Sequence, residues 1–232
     1  MPLINSIEVA NFMNRERKTP FEPDWPHAVF PLLGMNTIIN VPNGRGKTTI
    51  VKLILFILAA RKAGINKIRQ DHFAPKTSGS YTHVRVQVTL DTEEGAGLDL
   101  LSGTPLGEQM VFGVYGRLGE NEEFKMYSYR GTLEDCPVHR KDTGYSNRIN
   151  LVPDKEFEAK LATMPMKFPT TAKETSIKSW RDEIEKWFDI TSIEQQVTYQ
   201  NNAGGEGKST YFDVGGKDSE FAANVFYERL AP

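Results

Sequence analysis

A glycine-rich turn between two apolar segments constrains this chain more than any other feature of its sequence. The turn spans residues 42–48 and reads PNGRGKT. The segment before it, 35–41, predicts a buried strand. The segment after it, 47–63, predicts a helix that is apolar on nearly every side and therefore buried. Glycines at such a turn let backbone N–H groups converge on an anion, and the helix N-terminus adds positive potential there. The turn therefore predicts a phosphate-binding loop.

The residue types in this loop have distinct predicted tasks. The Lys47 ammonium reaches the β- and γ-phosphates of a nucleotide, and the Thr48 hydroxyl coordinates Mg²⁺. The residues predicted to surround the nucleotide are Asn43, Gly44, Arg45, Gly46, Lys47, Thr48 and Thr49. The first position of the usual pattern holds Val41 instead of glycine, and a β-branched residue does not readily adopt a positive φ. A nucleotide-sensing scaffold without catalysis is therefore an alternative to an enzyme.

The composition is that of a soluble globular protein. The chain has 232 residues, 28 Lys+Arg against 30 Asp+Glu, and a net charge of −2. This balance excludes a strongly basic module that coats nucleic acid, although it allows a local basic groove. The single cysteine, Cys136, excludes a disulfide framework and is compatible with a reducing cytosol. Because we find neither a signal-peptide pattern nor an apolar run long enough to span a membrane, we predict a cytoplasmic protein.

Hydrophobic periodicity predicts the other elements. Strands are predicted at 7–12, 84–90, 98–101, 109–115, 123–129 and 197–200, with turns at 94–97, 103–107 and 116–121. Helices are predicted at 154–163, 175–188 and 219–230, a loop is predicted at 13–26, and 131–153 show no clear period. The segment 84–90 alternates strictly, which predicts a half-exposed strand in an antiparallel region. Trp180, Ile184 and Trp187 recur at helical spacing, which predicts core positions.

The strand at 7–12 and the turn at 42–48 together resemble the N-terminal half of an ATPase head from the SMC, RecF and MukB group of ABC-type ATPases. Members of that group open with a strand that ends in Asn-Phe, as at Asn11-Phe12, followed by a loop, a second strand and Pro-Asn-Gly-x-Gly-Lys-Ser/Thr. The resemblance is specific over residues 7–60 and concerns only the layout beyond them. It implies an α/β fold, the N-terminal lobe of a P-loop NTPase of the ABC-head type. Such a lobe has a mixed sheet, an antiparallel β-subdomain and flanking helices.

The resemblance also implies how the chain is organised. Residues 1–232 form a single lobe with a P-loop strand-loop-helix core at 1–75, an antiparallel β-region at 80–150 and a helical region at 151–232 that carries the Q-loop. Two parts of the family's site are missing. The segment 86–91 alternates instead of forming the apolar strand of a Walker B motif, and Leu101-Ser102-Gly103 is not followed by the helix of a signature motif. In the family both motifs belong to a C-terminal lobe beyond a long coiled coil, so we expect the chain to continue into one.

The activity implied is that of an ATPase with ATP and Mg²⁺ as cofactors. Hydrolysis is expected only with the complementary C-terminal lobe and a second head, so a homodimer is implied. Lys47 and Gln200 are the implied catalytic residues, and Thr48 and Gln200 the implied Mg²⁺ ligands. Gln200 follows the predicted strand at 197–199, as the family's Q-loop glutamine does. Gln195 and Gln196 are weaker candidates, and the alternative for all three is a solvated amide in a loop.

The implied partners are DNA, bound independently of sequence, and accessory subunits of a kleisin-like or defence-system type. The loop 201–209 is similar to the MukB-like and anti-plasmid condensin branch, such as the ATPases of Wadjet or Lamassu defence systems. Candidate DNA-binding cations follow the P-loop helix at Arg61, Lys62, Lys67, Arg69 and Lys76, with a solvated helix end as the alternative. Arg15, Arg17 and Lys18 are candidates for nucleotide contact, with a solvated basic loop as the alternative.

Other classes of protein fit the sequence less well. A GTPase requires an Asn-Lys-x-Asp motif, which we do not find. A self-sufficient P-loop kinase that does not act on DNA remains an alternative, although no lid with clustered arginines is evident. The histidines at 27, 72, 83 and 139 have no metal-ligand spacing along the chain. Cys136 has no evident base partner, so we interpret it as structural.

Overall fold

The protein is mixed α/β and is built on a six-stranded sheet. A computed structural model describes residues 3–13, 25–32, 47–58, 68–75, 80–90, 97–98, 105–118, 124–140, 150–168 and 177–188. In chain order the strands are β1 (Leu3–Phe12), β2 (Trp25–Pro31), β3 (Thr82–Leu90), β4 (Gly97–Leu98), β5 (Pro105–Leu106), β6 (Glu108–Gly116), β7 (Phe124–Arg130), β8 (His139–Arg140), β9 (Asn150–Leu151) and β10 (Met166–Phe168). The large sheet has the order β10-β7-β6-β3-β1-β2. Every neighbouring pair in it is antiparallel.

Helices cover both faces of this sheet. They are α1 (Lys47–Leu58), α2 (Asp154–Ala162) and α3 (Ile177–Phe188), with further helical residues at 68–72 and a 3₁₀ turn at Leu133–Asp135. On one face, α1 packs against β3 and β6, and α3 packs against α1. On the other face, a second cluster of buried residues joins α2 and the 3₁₀ turn to β6 and β7. The sheet is therefore the middle of three layers.

Strand β3 has buried side chains on both faces, so each face of the sheet needs a covering layer. Its valines at 84, 86 and 88 belong to the apolar cluster on the α1 face. The alternate positions, among them Arg85 and Thr89, point to the other face and are also buried. The prediction of a half-exposed strand is therefore wrong, because polar side chains on the second face are covered by residues 133–138 and bonded there.

Helix α1 confirms the prediction of a buried helix after the glycine-rich turn, over Lys47–Leu58. Buried residues occupy positions around most of its circumference, at Ile50, Leu53, Ile54, Phe56, Ile57 and Leu58. A helix at the surface would instead be apolar on one face and polar on the opposite face. The helix ends at Leu58 among the described residues, and the predicted extension to 63 lies outside them.

Most of the predicted strands and helices are confirmed where the structure describes them. The segments at 7–12, 84–90, 109–115 and 123–129 lie in β1, β3, β6 and β7, and those at 154–163 and 175–188 correspond to α2 and α3. The antiparallel arrangement of the central region is also confirmed. Predicted segments at 35–41, 197–200 and 219–230, and the part of 98–101 after Leu98, lie outside the described residues.

Strand β2 was not predicted, and the loop expected at 13–26 is wrong at Trp25 and Pro26. Proline lacks a backbone donor and is tolerated mainly on edge strands. Among the strands that the structure describes, β2 is at the edge of the sheet, with β1 as its neighbour. The short β5 likewise replaces part of the turn expected at 103–107. Among the helices that the structure describes, none is long and apolar enough to cross a membrane.

Candidate functional site

The N-terminus of α1 is the part of the predicted phosphate-binding loop that the structure describes. The described part of α1 starts at Lys47, directly after the glycines of the motif, and its first turn carries no acidic residue. Backbone N–H groups of a first helical turn are unpaired within the helix and carry partial positive charge. This helix end is therefore suited to an anion. Asn43, Gly44, Arg45, Gly46 and Gln200, and the side chains of Lys47 and Thr48, lie outside what the structure describes.

The opposite end of α1 is fixed by α3. The Trp180 indole donates a hydrogen bond from Nε1 to the Ile57 carbonyl oxygen at 2.7 Å. The Trp180 side chain is fully buried, and its ring meets Phe112 edge-on with centroids 6.1 Å apart. The predicted core role of Trp180 is confirmed. Since α1 also packs on β3 and β6, its axis is held by both the sheet and a second helix.

The Asn-Phe corner at the end of β1 is tied to the segment before β3. Asn11 has a φ of 51°, a left-handed conformation that asparagine tolerates better than most residues. Its side-chain amide donates to the Ser80 carbonyl oxygen at 2.9 Å. The Thr82 hydroxyl donates to the Asn11 carbonyl oxygen at 2.8 Å, and Phe12 is fully buried. The pair therefore anchors the corner of the sheet.

A buried ion pair lies on the face of the sheet opposite α1. Glu8 on β1 and Arg85 on β3 stand directly opposite in the register. The Arg85 guanidinium donates from Nε to Glu8 Oε2 at 2.7 Å, and a second bond runs from Nη2 to the same oxygen. Arg85 Nη1 also donates to the Cys136 carbonyl oxygen. Burial alone raises the pKa of Glu8, but attraction to Arg85 and hydrogen bonds from His27 and Arg85 outweigh it and lower the pKa to about 2.

Two imidazoles approach the other oxygen of the same carboxylate. His27 Nε2 lies 2.8 Å and His139 Nδ1 lies 3.8 Å from Glu8 Oε1. The two rings stack with centroids 3.6 Å apart and an interplanar angle of 28°. Among the residues that the structure describes, this is a set of three whose ligand atoms lie within 4.8 Å of one another. The arrangement can hold a proton or a metal ion.

Sequence reasoning missed this set because its members lie far apart along the chain. The three residues belong to β1, β2 and β8, so no local spacing reveals them. The histidines have no metal-ligand spacing along the chain, but the fold brings His27 and His139 to Glu8. An available signal was Glu8, the charged residue of β1, because a charge that the fold buries must be paired.

A neutral polar network lies beside the ion pair. The Asn5 amide donates to Thr89 Oγ1 and to Gln109 Oε1, each at 2.8 Å. Gln87 Nε2 donates to Gln109 Oε1 at 3.0 Å, and Gln87 Oε1 accepts from the Leu133 backbone N–H at 3.1 Å. Since each side chain is bonded to a protein partner, the network joins β1, β3 and β6 to the 3₁₀ turn, and we interpret it as structural.

The third histidine on this face, His83, is buried among aromatic rings. Phe157 meets it edge-on with centroids 4.5 Å apart, and Tyr115 stacks on it at 5.9 Å. Burial, and secondarily the charge of Arg85, lower the pKa of His83 to about 3. The imidazole is therefore neutral at physiological pH.

The basic run proposed for DNA contact is described only at Arg69, and that residue does not fit the prediction. Arg69 is buried, and its guanidinium carbon lies 5.4 Å from the centre of the Phe124 ring. A buried cation stacked on an aromatic ring belongs to the packing between the segment 68–75 and β7. Arg69 is therefore withdrawn as a DNA-binding candidate, and the other members of the run lie outside the described residues. Cys136 is buried, in agreement with a structural interpretation.

Comparison of the chain with protein-family models, with curated proteins and with solved structures finds no match.

Proposed function

We propose that this chain is the ATP-binding N-terminal half of an SMC-like ATPase head that pairs with a second head on ATP and acts on DNA. The observation that carries the proposal is that the residues after the glycines of the motif PNGRGKT, Lys47–Leu58, form the buried helix α1. In phosphate-binding loops the lysine stands where the loop passes into the helix, so that its ammonium and the first helical N–H groups face the same phosphates.

The packing of α1 supports the proposal further. A helix that positions phosphates must not move relative to its surroundings, because catalysis of phosphoryl transfer depends mainly on positioning and electrostatics. α1 is held along one side by β3 and β6 and at its end by the Trp180 bond to Ile57. The Asn11-Phe12 corner, on which the family resemblance also rests, is itself fixed by hydrogen bonds to Ser80 and Thr82.

The donor set suits ATP with Mg²⁺. The first turn of α1 offers an ammonium at Lys47, hydroxyls at Thr48 and Thr49, and no carboxylate that would repel phosphates. We assign Lys47 to the β- and γ-phosphates and Thr48 to Mg²⁺. Gln200 is assigned to Mg²⁺ and to positioning the attacking water. Mg²⁺ when bound neutralises charge on the phosphates, and the base for hydrolysis belongs to the complementary lobe.

The test is nucleotide binding by the purified chain, measured by calorimetry with ATP and Mg²⁺. We expect Lys47→Ala to weaken binding by at least about tenfold, since a charge-assisted contact contributes roughly 1.5–3 kcal/mol. Lys52→Ala is the matched control, because it removes the same charge from the same helix about one turn further on and should leave affinity unchanged. Equal affinity for all three proteins would overturn the proposal.

Val41 at the first motif position favours one alternative, a nucleotide-sensing scaffold that does not hydrolyse ATP. Heads completed with the C-terminal lobe and mixed with DNA distinguish the two. DNA-stimulated ATP hydrolysis that Lys47→Ala abolishes supports the ATPase. Lys47-dependent binding without turnover supports the scaffold. A self-sufficient kinase would transfer phosphate to a small acceptor in the absence of DNA and of a second head.

A further inference from the structure

We propose that Glu8, His27 and His139 form a binding site for one divalent transition-metal ion, with Zn²⁺ as the expected occupant. The site lies on the face of the sheet opposite α1 and is independent of the nucleotide. It uses one carboxylate oxygen and two imidazole nitrogens, and a fourth position is left for water or another ligand. Two histidines and a carboxylate are a ligand set that Zn²⁺ accepts.

The present distances are close to those that a metal ion requires. An ion about 2 Å from each ligand in a tetrahedral arrangement holds its ligand atoms about 3.3 Å apart. Glu8 Oε1 lies 2.8 Å from His27 Nε2 and 3.8 Å from His139 Nδ1, so the two separations lie on either side of that value. All three ligand atoms lie within 4.8 Å of one another, so binding needs small side-chain adjustments together with a rotation that separates the stacked rings.

The carboxylate is oriented by a neighbour that uses its other oxygen. Arg85 donates from Nε and Nη2 to Oε2, which leaves Oε1 directed at the two imidazoles. Arg85 is in turn bonded to the Cys136 carbonyl oxygen. Ligands held by a second set of hydrogen bonds are a regular feature of metal sites, because the bonds fix ligand orientation. The guanidinium charge also opposes a nearby cation, so we expect weaker binding than at a site without it.

The imidazoles decide which metal is expected. Nitrogen ligands favour Zn²⁺, Cu²⁺ and Ni²⁺ over Mg²⁺ and Ca²⁺, which prefer oxygen. The site is also open to solution on one side. The side chain of Glu8 is 3% exposed, but those of His27 and His139 are 12% and 27% exposed. An ion can therefore enter past the histidines and reach the buried oxygen.

The site would link parts of the chain that are distant in sequence. His27 lies on the edge strand β2, Glu8 on β1, and His139 on β8, which pairs with β9. A shared ion adds a bond between the edge of the large sheet and the small β8–β9 hairpin. Metal binding should therefore raise the stability of the folded chain, because anything that binds only the folded state does so.

The experiment is a titration of the full chain with Zn²⁺ after removal of metal by a chelator, without nucleotide. We expect one equivalent to bind and the melting temperature to rise. His27→Ala and His139→Ala should each weaken binding by about tenfold or more, in keeping with the loss of a ligand. His72→Ala is the matched control, because this histidine contacts the Met13 carbonyl oxygen elsewhere in the fold and should leave affinity unchanged.

Three outcomes would overturn the proposal. These are the absence of stoichiometric binding, binding that persists in the His27→Ala and His139→Ala double variant, and an equal loss of affinity with His72→Ala. Circular dichroism checks that each variant is folded. If a histidine variant does not fold, X-ray absorption of the Zn²⁺-loaded wild type reads the ligands directly. Two imidazoles in the first coordination shell support the site, and a shell without imidazole refutes it.

Discussion

Protonation of His83 should make the fold sensitive to mild acid, and the variant His83→Phe should remove much of that sensitivity. The imidazole packs against Phe157 and Tyr115, and its Nδ1 has no hydrogen-bond partner among the described residues. A phenyl ring suits these aromatic neighbours and brings no polar atom to the interior. The variant therefore keeps the packing and removes the titrating group.

The magnitude follows from the pKa of His83, which burial and then the charge of Arg85 lower from 6.5 to about 3. As the pH falls below 6.5, the unfolded chain gains the proton first, so stability present above that pH is lost progressively down to about 3. Each pH unit in this window corresponds to about 1.4 kcal/mol. Between pH 7 and pH 5 the wild type should therefore lose about 2 kcal/mol through this residue.

Urea unfolding followed by far-ultraviolet circular dichroism at pH 7 and pH 5 measures this loss. This pH range excludes the titration of Glu8. The stability that the lowered pKa of Glu8 contributes is lost only between pH 4.5 and about pH 2. His72→Phe is the control, since its imidazole lies in a different contact, stacked on Phe12, and it should retain the wild-type difference. If His83→Phe loses as much stability as the wild type between the two pH values, the reasoning is refuted.

Three further predictions concern the same face of the sheet. Glu8→Gln in metal-free buffer should lower the free energy of unfolding by about 3–5 kcal/mol, because it leaves Arg85 buried without a counter-charge. Glu156→Gln, which removes the exposed partner of Arg140, should change stability little, and a comparable loss in both variants would contradict this. Gly113→Ala should lower the free energy of unfolding, measured with urea, by about 1–3 kcal/mol, since the added Cβ would lie 2.4 Å from Tyr127 Cζ. Unchanged stability would show that the Tyr127 ring moves freely. Burial raises the pKa of Cys136 to about 11, so its thiol should react with a disulfide reagent at pH 7 only after denaturant is added. Rapid labelling of the native chain would disprove that burial.

The sequence predicted those strands and helices that local hydrophobic periodicity is enough to identify. The alternation of Val84, Val86 and Val88 marks β3, and the apolar circumference of 47–58 marks α1. β2 escaped prediction because its two prolines are typical of a loop, and only its place at the sheet edge permits them. The half-exposed interpretation of β3 failed for a similar reason. Alternation shows that one face is polar, but not whether another layer covers it.

The candidate sites differ in the same way, because one is a continuous motif and the other is assembled only by the fold. The predicted phosphate-binding loop is a continuous motif, so its residues were proposed from their order alone. Of this region the structure describes the helix α1 that follows the glycines. The Glu8, His27 and His139 set arises only when three strands come together. Arg69 was misinterpreted because a cation in a basic run looks solvated until its aromatic neighbour, Phe124, is known.

The position of β1 between β2 and β3 has a consequence for synthesis of the chain. Glu8 and Arg85, paired across β1 and β3, are 77 positions apart. At about 5–20 residues per second, a ribosome needs roughly 4–15 s to make the intervening chain. During that interval β1 has an unpaired edge, which other nascent chains can bind. β6 and β7 follow each other closely and can pair soon after emergence. The closure of β1 onto β3 is therefore the step expected to limit folding on the ribosome.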